Sequence, residues 1–277
     1  MPSSKIQISA LMAIYAGTRR VWFEEALASL LAQTVPVQEI VIVCDGPCDT
    51  ELIAYVEGLK NPLIQLVKLT KNCGLGAALA HGVEKCVGNW ILRMDDDDAS
   101  VLERVRLQLD FLKKNPDIDV CGGQIEERAS DMQTVLGMRK CPSVHDEIVA
   151  RHKFRNAMNH VTILARREAI VAAGNYREGT IGYEDYDLWF RMIRSGYRFA
   201  NLDKTLVNVR FDVGQAHSRV GRRAAAFEYR MQRGFLRDGH ISVVNFIFNL
   251  AWRVPPRFLP AAVFLGVMKK AMRKSFR

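Results

Sequence analysis

Over the first 120 residues, apolar runs of strand length alternate with longer segments whose apolar positions recur at helical spacing. Residues 6–14, 37–43, 63–69 and 90–94 predict strands, and residues 118–121 a further one. Between them, residues 19–33 place Trp22, Ala26, Leu27, Leu30 and Leu31 on one helical stripe, and residues 76–87 predict a helix of small residues able to lie close to a sheet. A third helix is expected to begin at Ser100, where Ser100 and Glu103 have capping-box spacing, to carry Val105, Leu109 and Leu112, and to stop at Asn115-Pro116. This alternation predicts an α/β body with a central, mostly parallel sheet flanked by helices.

Beyond residue 121 the pattern loosens. Residues 126–146 read as a long polar loop, followed by a short helix near Ile148 and a strand at 161–165. A helix at 184–195 is closed by Gly196, and residues 197–211 hold one or two strands. From about Ala216 the chain reads as helical and basic, which divides it into a body, residues 1–215, and a C-terminal region, residues 216–277.

The composition changes this picture in three ways. A chain of 277 residues with 49% hydrophobic and 25% charged content has ample core material, which excludes disorder and fibrous repeats. The net charge of +9 is confined to one end: residues 219–277 carry 13 Lys and Arg against two acids, and the rest is mildly acidic. A basic end on an acidic body argues against a nucleic-acid partner. The start of the chain lacks the charge and length pattern of a signal peptide, so a cytoplasmic location is expected. Six scattered cysteines, several in apolar runs, predict neither a disulfide nor zinc.

In an open parallel sheet, ligands bind beyond the carboxyl ends of the strands. Here those ends carry Tyr15-Ala16-Gly17, Asp45-Gly46 and Asp95-Asp96-Asp97-Asp98. Four successive carboxylates raise one another's pKa unless a cation compensates, and oxygen-only donors suit Mg2+ or Mn2+ better than zinc. The plainer reading is a solvated acidic turn before a helix start. In extended backbone, Asp95 and Asp97 would share one face, and Asp96 and Asp98 the other. A second acidic group, Glu184-Asp185-Tyr186-Asp187, opens the helix whose apolar stripe is Leu188, Trp189, Met192 and Ile193. Spacing turns Asp185 toward the buried side, a place for chemistry or for helix capping.

These residues together resemble the inverting family 2 glycosyltransferases, which have the nucleotide-diphospho-sugar transferase (GT-A) fold. The resemblance runs from about residue 7 to 210. It is carried in order by Leu11-Met12-Ala13-Ile14-Tyr15, Ser29-Leu30-Leu31-Ala32-Gln33-Thr34, Ile42-Val43-Cys44-Asp45-Gly46, Asn72-Cys73-Gly74-Leu75, Arg93 to Asp98, Glu103-Arg104, 115–120, 184–189 and Gly196-Tyr197-Arg198. It implies that Ala13, Tyr15 and Asp45 bind the nucleotide end of the donor and that Asn72 and Gly74 form the turn beside it. Asp95 and Asp96 are implied near ribose and diphosphate, Asp97 as the metal ligand, and Asp185 as the general base. His160, in a segment that departs from the family's His-Pro-Ser type, is placed with Glu184 and Trp189 on the acceptor side; for His160 a structural role stands beside that one. The family pattern is otherwise altered only at Ala16 and Leu102, and the motif of processive synthases is absent.

The expected activity is therefore a hexosyltransferase reaction that moves one sugar from a nucleotide-diphosphate sugar, UDP-linked, to a saccharide acceptor on a polyprenyl diphosphate, in cell-surface polysaccharide synthesis. Two other readings stay open. One is a sugar-phosphate nucleotidyltransferase, whose glycine-rich loop Ala16-Gly17-Thr18-Arg19 faintly resembles; the other is a non-catalytic membrane scaffold. Between Ile241 and Met268 the chain is apolar but divided by Arg253, Pro255-Pro256, Arg257 and Pro260 into runs too short to span a bilayer. With Phe246, Phe248, Trp252, Phe258 and Phe264, and with Lys269, Lys270, Arg273, Lys274 and Arg277, this region predicts peripheral attachment to an anionic membrane surface at the inner face of the cytoplasmic membrane. The alternative is a helical hairpin packed on the body or on a second copy.

Overall fold

The computed structural model describes residues 6–211, 220–260 and 263. Its first half alternates β1 (Ile8–Ile14), α1 (Arg20–Leu31), β2 (Glu39–Cys44), α2 (Thr50–Gly58), β3 (Ile64–Lys68), α3 (Leu75–Lys85) and β4 (Trp90–Arg93). The second half runs β5 (Ala99–Ser100), α4 (Arg104–Lys114), β6 (Val120–Arg128), β7 (Val135–Arg139), α5 (His145–His152), β8 (Leu164–Arg166), α6 (Arg167–Ala172), α7 (Glu184–Arg194), β9 (Phe199–Arg210), α8 (Arg222–Arg237) and α9 (Val243–Arg253). The sheet has the order β3-β2-β1-β4-β8-β6-β9-β5, with β7 on β6. It is parallel from β3 to β4 and mixed beyond, where β8 runs antiparallel to both β4 and β6 while β6 and β9 are parallel.

All seven residues of β1 are buried, as expected of a central strand covered on both faces. Alternate side chains feed two layers. Ile8, Ala10, Met12 and Ile14 join α1, α2 and α4; Leu11 and Ala13 join α3, α6 and α7. The small residues of α3 let it lie close to the sheet: a Cβ on Gly82 would stand 2.3 Å from Leu11 Cδ1.

Several expectations are corrected by longer-range partners. The α1 stripe centres on Phe23, Ala26, Leu27 and Leu30, leaving Leu31 exposed and Trp22 under the guanidinium groups of Arg19 and Arg210. No capping box forms at Ser100, because Ser100 pairs with Val207 of β9 and the helix begins at Arg104. Its Val105 N–H instead donates to Gln33 Oε1 at 3.0 Å, so α1's end caps α4. The polar stretch 126–146 is no long loop: Asp131 accepts N–H bonds from Gln133 and Thr134, and this turn folds β7 back on β6. Residues 50–58, given no element by the hydrophobic pattern, form α2 behind an Asp49 cap. The expectation of no disulfide also fails. Cys44 and Cys48 are bonded, brought together by the turn 45–47 that leaves β2.

The C-terminal hairpin packs on the body. Tyr186 and Phe190, on the outer face of α7, meet Met231 and Phe235 of α8 and Ile241 beyond it. α9 lies against α8, and Asn249 donates to Gln232 and to the Lys153 carbonyl, both at 2.9 Å. Phe246 is turned inward onto Tyr229, contrary to the expected boundary position, while Phe248, Trp252 and Phe258 are exposed. Phe264 and the last basic residues lie outside the described residues. Among those described, no helix is long and apolar enough to cross a membrane.

Candidate active site

Strands β1, β2 and β4 deliver Tyr15, Asp45 and the four aspartates to one edge of the sheet, where the strand order changes direction. Ala13 is buried beneath this edge, and Tyr15 stands half exposed at its mouth. The Asp45 carboxylate accepts from Cys73 N at 2.7 Å and Gly74 N at 2.9 Å, and Asn72 Nδ2 donates to the Asp45 carbonyl at 3.2 Å. Asp45 thus fastens the turn 72–74 to the end of β2. Gly46 makes the approach possible: its φ is +83°, and a Cβ there would stand 2.5 Å from Asn72 N.

Asp95, Asp96 and Asp97 are all partly open, and only Asp98 turns inward, so the two-and-two alternation is not what forms. Each neighbour has a physical role. The buried Arg93 pairs with Asp95, and Thr18 donates its hydroxyl to Asp96. Asp98 accepts from Arg210 N at 2.8 Å, stitching the cluster to β9. Asp97 is pushed up to about 7, first by burial and then by Asp95 and Asp96. Among the described residues no side chain hydrogen-bonds its carboxylate.

The opposite wall is the start of α7 with the segment 156–160. Asp185 accepts from Asn156 Nδ2 at 2.6 Å. Burial pushes its carboxyl above the ordinary range, against the Asn156 hydrogen bond and the more distant Arg139 charge. Glu184, buried, accepts from Gly182 N at 2.7 Å and is raised to about 7 by burial and by Asp185. His160 Nε2 meets Tyr176 Oη at 2.9 Å. Burial, with Arg93 behind it, holds the ring well below its usual pKa, so it is neutral and no cationic phosphate contact. Trp189 is fully buried between His160 and Phe199, so it supports the wall from behind and does not face an acceptor.

The two walls meet. Tyr176, pushed up by burial, is lowered by Arg93 and raised by Asp185, Glu184 and Asp95, so one phenol senses both acidic groups. The start of α3, just past the turn that Asp45 holds, abuts α7: a Cβ on Gly76 would touch Glu184 Cβ at 3.1 Å. The carboxylates that the sequence singles out at β4 and α7 therefore both lie within electrostatic reach of Tyr176.

Residues 9–178 match the sequence profile described as Glycosyl transferase family 2. The chain belongs to the family 2 glycosyltransferases. Across nearly its whole length this glycosyltransferase is 32% identical to the UDP-Gal:alpha-D-GlcNAc-diphosphoundecaprenol beta-1,3-galactosyltransferase of Escherichia coli, over 269 residues covering 97% of each chain. It is 31% identical over 254 residues to the amylovoran biosynthesis glycosyltransferase AmsE of Erwinia amylovora, covering 90% of this chain and 94% of that one. Among solved structures, the mannosyltransferase PcManGT of Pyrobaculum calidifontis, in complex with GDP-Man and Mn2+, superposes with TM-score 0.63 at 15% identity over 98% of this chain and 81% of its own. Residues 1–349 of S. aureus TarS with UDP-GlcNAc give 0.61 at 17%, over 83% and 67%. At such identities the likeness shows the GT-A fold alone.

In this glycosyltransferase the crowded acids fit a divalent cation. They are hard oxygen donors, and the raised Asp97 shows charge that nearby protein cations leave uncompensated. A second group, Asp187, Asp238 and His240, has its ligand atoms within 4.8 Å of one another. It fits a cation poorly, since Arg191 bonds Asp187 at 2.8 Å and Arg177 lies 3.8 Å from Asp187 and 3.5 Å from Asp238. The sequence reading missed Thr18, Arg93, Asn156 and Tyr176 as site residues. Arg93 had a signal, as a lone cation ending an apolar strand one residue before the four acids; the others had none.

Proposed function

We propose that this glycosyltransferase is an inverting, metal-dependent enzyme that moves one sugar from a UDP-sugar to a saccharide carried on polyprenyl diphosphate, in the assembly of a cell-surface polysaccharide. The observation that carries the reading is the carboxylate of Asp185, held by Asn156 and acting on the same buried Tyr176 as Asp95 of the acidic turn after β4. The donor and acceptor named for the E. coli relative and the polysaccharide named for AmsE support the substrate classes. The Mn2+ bound to PcManGT supports a cation here.

The chemistry follows from the two walls. Asp185 takes the proton of the acceptor hydroxyl as its oxygen bonds to the anomeric carbon. The bond from that carbon to the β-phosphate oxygen breaks, and UDP departs with the electron pair. Attack from the face opposite the leaving group inverts the centre. Asp45, through the turn 72–74, and Thr18, through Asp96, hold the donor side in place. Asp97 would hold Mn2+ or Mg2+, which when bound would stabilise the charge developing on the diphosphate.

The test is full-length enzyme with UDP-galactose, Mn2+ and a GlcNAc-diphosphate-alkyl acceptor, read by UDP release and by product stereochemistry. Asp185→Asn is expected to lower kcat by about 10²- to 10⁴-fold while leaving UDP binding intact. Full turnover in that variant would remove Asp185 as the base, undiminished activity in chelator would remove the metal, and pyrophosphate release would point to nucleotidyl transfer.

A further inference from the structure

Beside Asp185 lies a recess of about 140 Å³, lined by Arg139, Lys140, Arg151, Arg155, His160 and Asp185 itself, among others. Four cations share this cavity with one carboxylate. Arg139 arrives at the end of β7, and Arg151 and Arg155 come from the last turn of α5 and the bend after it, where Arg155 N bonds the Arg151 carbonyl at 3.0 Å. The Arg139 Nε is buried with no hydrogen-bond partner. All three guanidinium groups bear on the buried thiol of Cys141, so they converge on one point. The three arginines are half-buried, and crowding like charges in such a recess favours an anion that joins them.

We propose that Arg139, Arg151 and Arg155 form the site for the diphosphate of the acceptor, which sets the acceptor sugar over Asp185; this rests on the acceptor class proposed above. Guanidinium forks match phosphate oxygens two at a time, and the recess begins where the base ends. A sugar whose anomeric diphosphate sits among the arginines has its ring over Asp185, with a ring hydroxyl toward the donor. Burial, reinforced by Arg151, lowers the Arg155 pKa to about 10, which an arriving anion would reverse. The exit for the lipid adjoins the recess. Phe154, exposed next to Arg155, meets Phe248 of α9 at 5.7 Å, and from there the exposed Ile247 and Trp252 continue an apolar face.

The experiment uses full-length protein saturated with UDP and Mg2+, titrated calorimetrically with P1,P2-dibutyl diphosphate, a diester without sugar or long lipid. The wild type is expected to bind it. Arg139→Gln and Arg155→Gln should each weaken binding about tenfold to a hundredfold. In turnover, the same variants should raise KM for the GlcNAc-diphosphate-alkyl acceptor by a similar factor, with KM for UDP-galactose unchanged, which also shows that they fold. Absence of diester binding in the wild type overturns the proposal. A rise in donor KM overturns it too, since the arginines would then serve the donor's diphosphate. Phosphatidylglycerol vesicles distinguish the other source of phosphate: if the variants lose vesicle binding but keep diester affinity, the recess takes a lipid headgroup and the proposal fails. If the diester binds through the arginines yet no sugar-diphosphate acceptor is used, the phosphate site stands and the acceptor reading of the previous section falls.

Discussion

Asp185 must be ionised to act as a base, and its surroundings resist this. Burial raises its pKa, and the hydrogen bond from Asn156 is the largest influence holding it down. The rate at subsaturating acceptor should therefore rise with pH through a carboxylate above the ordinary range. Replacing Asn156 with Ala removes a donor to the charged form, so the acid limb of kcat/KM is expected to move to higher pH while the alkaline plateau changes far less. A pH profile of the two enzymes checks it, and coincident limbs would remove Asn156 from this role. Gly46 makes a different kind of demand. Its φ is +83°, and a Cβ added there would lie only 2.5 Å from Asn72 N, so an alanine has no relaxed position, because the obstructing atom is backbone. Gly46→Ala should cost about 1–3 kcal/mol of stability and weaken UDP binding, read by thermal unfolding and calorimetry. At this scale the sequence showed by their chemistry the run at 95–98 and Asp185, and Asp45 only through the family resemblance. It could not show their holders. Thr18 meets Asp96 across 78 positions and Asn156 meets Asp185 across 29, and neither residue type is rare enough to be noticed alone.

Elements were legible where the packing that fixes them is local to the pattern. The strands of the parallel half and the helix at 184–194 follow from runs and stripes that a single buried face dictates. Elements set by a distant partner were not. Ser100 has the spacing of a cap, but β9 claims its backbone, and β7 exists because the turn at Asp131 returns it to β6. The C-terminal hairpin follows the same logic through Glu228. This buried acid on α8 pairs with Arg253 at the end of α9 and with Arg257 beyond it. Burial alone would raise its pKa, yet the two arginines hold it below the ordinary value. The stability this contributes is present above the unfolded carboxylate pKa and is lost as pH falls through the lower folded one. Glu228→Gln removes the buried charge that Arg253 and Arg257 both bond, which should cost about 3–5 kcal/mol. The loss should fall on the hairpin, so limited proteolysis is expected to release α9 from the variant while the body stays resistant. Equal resistance of both proteins would mean that apolar packing by Phe235 and Ile241 suffices.

On the scale of the whole molecule, net charge along the sequence and exposed apolar surface are both unevenly distributed. The net positive charge belongs to the C-terminal region, and the exposed face of α9 presents Val244, Ile247, Phe248 and Trp252, with Phe248 against Phe154 of the body. If the acceptor is lipid-borne, this face is the natural one to meet a membrane, resting in its interface without crossing it. A deletion after Gly239 is a poor test, because α9 covers part of α8 and the deletion would uncover buried groups such as Gln232. Substituting the exposed stripe is cleaner. Ile247→Ser, Phe248→Ser and Trp252→Ser together should weaken binding to phosphatidylglycerol vesicles by about a hundredfold or more, since each buried apolar side chain contributes about 1.5–3 kcal/mol. Their unfolding temperature should fall little, because all three are more than half exposed and only Phe248 is shown in a ring contact, with Phe154. Raising salt should weaken wild-type binding further by screening the basic end. Turnover separates the two roles of this surface. With a short-chain soluble acceptor the triple variant should match the wild type, whereas with a long polyprenyl acceptor in vesicles it should fall in proportion to the bound fraction. Equal vesicle binding by both proteins would place the lipid elsewhere and leave the apolar face for a protein partner.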